Sequence, residues 1–148
     1  TGVQTCALPI SIRIYRETFK PSAQLERPYV MAGFNIFAAD DEAQAHLLAS
    51  SWQQSFVNLR SGRPGRLPPP VENYRGRVGP AENALLDSVL SCAAIGTRDS
   101  VRAGLQAFAD RTGVDEIIVA SRIYDHAARL RSYAIAAEAA EGLQTATA

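Results

Sequence analysis

The sequence predicts an α/β fold built on parallel strands, and three observations carry that expectation. Residues 29–38 (YVMAGFNIFA) are a nearly unbroken apolar run without helical period. Residues 115–121 (DEIIVAS) form a second, shorter run, and helical segments lie before, between and after the two. Apolar runs of this kind suit strands buried on both faces of a parallel sheet. Helices between strands supply the crossovers that parallel pairing needs. At 148 residues the chain has the size of one domain. Hydrophobic residues make up 47% of it and charged residues 20%, which is enough for a core and outside the range of disordered chains.

Residues 12–19 read as the last turns of a helix, closed by Pro21, which cannot continue one. After the first strand come Asp40, Asp41 and Glu42, and acidic residues in a first turn complement the helix dipole. That helix is expected to run to about Arg60, with Leu48, Trp52, Phe56 and Leu59 as one apolar stripe and Gly62 as its stop. Residues 61–80 are a long loop containing Pro64, Pro68, Pro69 and Pro70. Loops of that length are either functional or mobile. Residues 81–90 read as a short helix and residues 93–97 (AAIGT) as a short extended turn. Thr97 is then expected to cap a helix that carries Val101, Leu105 and Phe108 on one face and ends at Gly113. The last helix covers residues 125–141, with Leu130, Tyr133, Ala134 and Ala137 facing inward. Two strands are too few to close an α/β domain, and a (β/α)8 barrel needs about 250 residues. The chain therefore reads as part of a larger fold.

The first ten residues, TGVQTCALPI, do not fit the rest of the chain. They lack the basic start and long apolar centre of a signal peptide and resemble the translation of a sequencing-adapter oligonucleotide fused in frame. On that reading residues 1–10 are a non-native segment with few packed contacts, Cys6 is not a native cysteine, and residues 11–148 form the domain.

The chemistry that composition excludes is broad. Fifteen basic residues balance fifteen acidic ones, which argues against nonspecific binding to nucleic acid or anionic lipid. No apolar run approaches the roughly 20 residues of a membrane span. Cys6 and Cys92 cannot make a disulfide framework, so a reducing cytoplasm is expected. Two histidines and no CxxC pair leave little for a metal site, and none is expected. No GxGxxG, P-loop, GxSxG or HExxH motif is present. Asp125-His126 offers half of a catalytic pair, yet adjacent residues at a helix start point apart, and Asp is a preferred cap. His46 reads as a surface or boundary residue and Cys92 as a packed thiol. Arg60, Arg63, Arg66, Arg75 and Arg77 face only Glu72 in residues 60–77, a basic loop able to hold a phosphate-bearing ligand or simply solvated. RLPPP at residues 66–70 superficially matches a polyproline ligand.

Four ordered blocks carry a resemblance. YRETFKPS (residues 15–22) with RPYVMAGFNIFAADDEAQA (residues 27–45), RSGRPGRLPPPV (residues 60–71), IGTRDSVRAGL (residues 95–105) and TGVDEIIVASRIYDHAARLRSY (residues 112–133) resemble the C-terminal third of luciferase-like flavin-dependent monooxygenases. The resemblance implies a C-terminal fragment of a (β/α)8 TIM barrel, with residues 29–38 and 115–121 as about its seventh and eighth strands. It implies a parent that oxidises a small organic substrate with oxygen and reduced flavin (FMN), or in relatives uses a deazaflavin, and that is a homodimer in many members. The catalytic residues are unknown from this chain, since the resemblance places most of the cofactor shell in earlier strands, and the fragment by itself is expected to be inactive. Gly96 and Thr97 are the candidate cofactor contacts, because the helix they begin would start at the active-site end of the barrel, where its amides could face a phosphate. A noncatalytic interaction module that reuses this fold segment, with the basic proline loop as its contact, is the alternative.

Overall fold

A run of alternating buried side chains makes Met31–Ala38 the central strand of the molecule (β1), and the remaining elements pack around it. In the computed structural model, residues 7–144 are described. The elements are α1 (Ala7–Thr18), β1, α2 (Glu42–Arg60), α3 (Tyr74–Arg77), α4 (Pro80–Leu90), β2 (Ala93–Gly96), α5 (Arg98–Thr112), β3 (Glu116–Ala120) and α6 (His126–Ala140). The sheet is parallel, three-stranded and ordered β2-β1-β3. The two strands expected from the sequence are thus neighbours, with Met31 opposite Glu116 and Asn35 opposite Ala120. The register is pinned where β1 and β3 begin. Val30 accepts the amides of Asp115 and Glu116 and donates its own to the Asp115 carboxylate at 2.7 Å.

The third strand is a correction. Residues 93–97, expected to be an extended turn, supply β2, which pairs with Asn35–Ala38. Four residues are too few to show a period, so the sequence holds no sign of it. Tertiary pairing with β1 decides the conformation.

Successive side chains of β1 point to opposite faces, and two clusters result. Ala32, Phe34, Ile36 and Ala38 join Val101, Leu105 and Phe108 of α5 and Ile135, Ala136 and Ala139 of α6. Phe34 and Phe108 meet with ring centroids 4.8 Å apart. On the other face Phe37 packs against Leu48, Ala49 and Trp52 of α2 and against Ile123. That face is covered only at this end. Met31 is 49% exposed and Ile118 52%. Gly104 lets α5 close on β2, since a Cβ there would come 2.9 Å from Ala94 Cβ.

α1 ends at Thr18, so residues 12–18 are its last turns, as expected. Of residues 1–10, Leu8 packs on the core cluster and Ile10 is exposed, while residues 1–6, with Cys6, lie outside the described residues. Two further expectations change. The 61–80 loop contains α3. The inward face of α6 is also not the expected one. Leu130, Tyr133, Ala134 and Ala137 are exposed, and Ser132, Ile135, Ala136 and Ala139 are buried. Both stripes follow helical spacing in this alanine-rich helix, so periodicity does not separate them. The hydroxyl of Ser132 does, by accepting the buried Ala38 amide and the Ser121 hydroxyl, each at 3.0 Å. An unpaired buried amide is costly, so the helix turns its serine to the strand.

This assignment of faces yields a direct expectation. Ile135→Ala should lower unfolding free energy by about 2–5 kcal/mol, as large-to-small core changes do. Leu130→Ala should change it by less than about 0.5 kcal/mol. Urea denaturation of both variants checks the pair, and a larger loss at Leu130 than at Ile135 would reverse the face.

Candidate functional site

The C-terminal ends of β1 and β2 bring together the residues with the most polar chemistry. Parallel sheets place their ligand sites at that edge. Leaving β1, the chain passes Asp40 and enters α2 through Asp41, whose carboxylate accepts the Gln44 amide at 2.8 Å as an N-cap. Glu42 then reaches across to the β2–α5 junction. Its carboxylate accepts the Thr97 amide at 3.1 Å, the Thr97 hydroxyl at 3.2 Å and the Ser100 hydroxyl. These donors hold the Glu42 carboxyl below its usual range, the Ser100 hydroxyl contributing most and the Thr97 amide next.

Gly96 fits this junction because of its backbone. Its φ is +144°, and a Cβ there would come 2.5 Å from Glu42 Oε2 and 2.6 Å from Ser100 Cβ. Thr97 occupies the cap position of α5, as expected from the sequence, but its hydroxyl makes no cap bond and serves Glu42 instead. A phosphate at the start of α5 would have to displace that carboxylate from the Thr97 amide.

Beside the junction lies a depression of about 260 Å³ lined by Asp40, Thr97, Arg98, Asp99, Arg131 and Glu138 among others. Arg131 pairs with Asp40 at 2.6 Å and with Glu138 at 3.4 Å, and Arg98 with Asp99 at 3.5 Å. The bond from Arg131 lowers the Asp40 carboxyl, against a smaller opposing effect of desolvation. Three carboxylates here face two guanidinium groups, which does not favour an anion.

The other sequence candidates resolve individually. Asp125 caps α6 by accepting the Ala128 amide at 2.8 Å, and His126 Nδ1 lies 2.7 Å from Arg129. Cys92 is half-buried against the core. Of the loop arginines, Arg75 pairs with Asp87 at 2.7 Å. The proline segment lies on its own helix. Pro69 accepts from the Gln54 amide at 2.9 Å, and Ser50 accepts the Val71 amide at 2.8 Å. His46 is exposed on α2 and lines a larger groove under that segment. Among the described residues no group of three or more His, Cys, Asp or Glu is placed to hold a metal, and no helix is long and apolar enough to cross a membrane. Sequence reasoning read Glu42 only as a partner for the dipole of its own helix. Its role at α5, 55 residues away, has no local sequence signal.

The chain is 44% identical over 133 residues to a protein of Escherichia coli named luciferase-like monooxygenase, covering 90% of this chain and 40% of that relative. This supports the luciferase-like family. The chain is also 40% identical over 128 residues to the uncharacterized protein YvbT of Bacillus subtilis, covering 86% of this chain and 38% of YvbT. Among solved structures, apo-MsnO8 matches with a TM-score of 0.72 and 26% identity, over 95% of this chain and 42% of that one. No family model matches the chain. The chain thus spans about two fifths of the length of the relatives it matches, and the luciferase-like resemblance read from the four sequence blocks extends along most of it.

Two variants test the junction. Gly96→Ala should destabilise the fold by about 1–3 kcal/mol, because it forces an L side chain into a positive-φ conformation and against Glu42. Glu42→Gln should lower Tm at neutral pH. A carboxylate whose folded pKa is depressed contributes stability above its unfolded pKa and loses it as pH falls through the folded value. The Tm gap between Glu42→Gln and the parent should therefore close in acid. Thermal melts between neutral pH and about pH 3 check this, and a gap independent of pH would contradict it.

Proposed function

We infer that the chain is the C-terminal part of a luciferase-like flavin-dependent oxidoreductase whose complete form uses reduced flavin and oxygen to oxidise a small organic substrate. The observation that carries this reading is the 44% identity to a luciferase-like monooxygenase over nine tenths of the chain. The sheet supports it. β1 pairs in parallel with both β2 and β3, with helices between the strands, and parallel strands joined by helices are what such a fold is built from. One face of these strands packs on α5 and α6, and the other is covered by α2 at its Phe37 end and exposed at Met31 and Ile118, where the missing part of the parent would pack. On this reading the complete protein is a homodimer, and FMN or a deazaflavin is its cofactor.

The described residues do not by themselves form a flavin cradle. The depression at the strand ends is small for an isoalloxazine with its phosphate. The Thr97 amide is taken by Glu42, and the nearby charges are mainly acidic. Barrel sites are assembled from loops after many strands, so the cofactor shell is assigned to the rest of the parent, with Gly96 and Thr97 contributing at its edge once Glu42 swings away. What this chain supplies is a rigid wall and the Glu42–Thr97–Ser100 cluster at its rim.

The test uses a chimera in which residues 12–140 replace the matching segment of the Escherichia coli relative. The chimera should bind reduced FMN and consume oxygen faster than free flavin. The 148-residue chain alone should show neither that oxygen consumption nor saturable binding in the micromolar range, about 8 kcal/mol. A folded chimera that fails to bind flavin, or tight single-site binding by the chain alone, would contradict the assignment.

A further inference from the structure

The proline segment and α2 enclose a groove of about 490 Å³, distinct from the depression at the Glu42 junction. Its volume lies in the range of small-molecule sites. One wall is α2, from Ala43 to Gln53, and the other is residues 71–75. The second wall is anchored at both ends. Ser50 and Gln54 hold Val71 and Pro69, while Asn83 donates to the carbonyl of Arg75 at 3.0 Å and Asp87 holds its guanidinium.

The decisive residue is Gln53. It is only 4% exposed, it lines the groove, and its side-chain amide makes no hydrogen bond among the described residues. Among the described residues the buried polar side-chain atoms without a partner are Ser51 Oγ and Asn83 Oδ1, so the Gln53 amide atoms, though the residue is largely covered, reach the space of the groove. The neighbouring Gln54, by contrast, bonds Pro69. Gln53 therefore presents an unused donor and an unused acceptor side by side to the groove.

We propose that this groove binds a small uncharged molecule carrying an amide edge, such as a carboxamide or lactam, on an apolar or aromatic body. A second amide is the group that satisfies the Gln53 donor and acceptor together. Leu47, Val71 and the Tyr74 ring line the groove beside it and offer apolar contact to the body. Burial raises the Tyr74 phenol above its ordinary value, with a smaller contribution from Glu82, so at neutral pH it is a donor. The charged residues of the lining do not select an ion. Glu72 opposes Arg75, and Arg75 is already engaged by Asp87. This inference does not depend on the flavin reading and survives its failure.

Benzamide, benzoate and ethylbenzene, which share a ring and differ in the polar group, test it by NMR on the 148-residue chain. Benzamide should bind saturably and move the Gln53 side-chain amide resonances, and benzoate and ethylbenzene should bind at least about tenfold more weakly. Gln53→Met should reduce benzamide binding about tenfold and leave ethylbenzene binding unchanged, since it removes the amide without changing side-chain length. Gln53 resonances that do not respond to benzamide would overturn the proposal. So would equal binding of ethylbenzene, preference for benzoate, or a folded Gln53→Met variant that binds benzamide as tightly as the parent.

Discussion

Parallel pairing on both edges of β1 is the constraint on which the rest of the structure depends. A strand with neighbours on two sides satisfies its backbone groups in the ladder and can bury side chains on two faces. The ladder is extended past its end where Ala39 donates to Gly96 and where Ser132 accepts the Ala38 amide. The second of these bonds fixes the rotation of α6. The first brings the end of β1 beside the start of α5, the junction that Glu42 spans from α2.

Glu42 connects three elements through one carboxylate. It begins α2, accepts the amide that follows β2 and accepts a hydroxyl from the first turn of α5. A helix start attracts negative charge, and here the chain supplies that charge itself. The same group can therefore stabilise the junction in this chain and compete with an external anion for it. Gly96 is part of the arrangement, because its positive-φ backbone leaves the space that the carboxylate occupies.

Much of this was legible in the sequence where the signal was local. The apolar run around Phe34 and Phe37 marks β1, the Val101–Leu105–Phe108 stripe marks the buried face of α5, and Gly113 stops that helix at φ +58°. Asp125 was legible as a cap for the same reason. The unread features are nonlocal. β2 is four residues whose conformation comes from β1. α6 carries two rival apolar stripes that only Ser132 distinguishes. Glu42 and Gln53 look like ordinary polar helix residues until the fold shows one reaching α5 and the other lining the groove beside the proline segment. The luciferase-like resemblance was legible because four blocks in order constrain a sequence more than any single motif.

The central claim is that the exposed end of the β1–β3 face, at Met31 and Ile118, is covered in the complete parent. Met31 reports on it directly, being the sole methionine of the chain and half exposed on that face. Its oxidation by dilute peroxide, followed by peptide mass spectrometry, should proceed in the 148-residue chain at nearly the rate of free methionine. In the chimera with the Escherichia coli relative it should be slower by about an order of magnitude or more, since oxidation follows exposure. Equal rates in the chain and in a folded chimera would contradict the account.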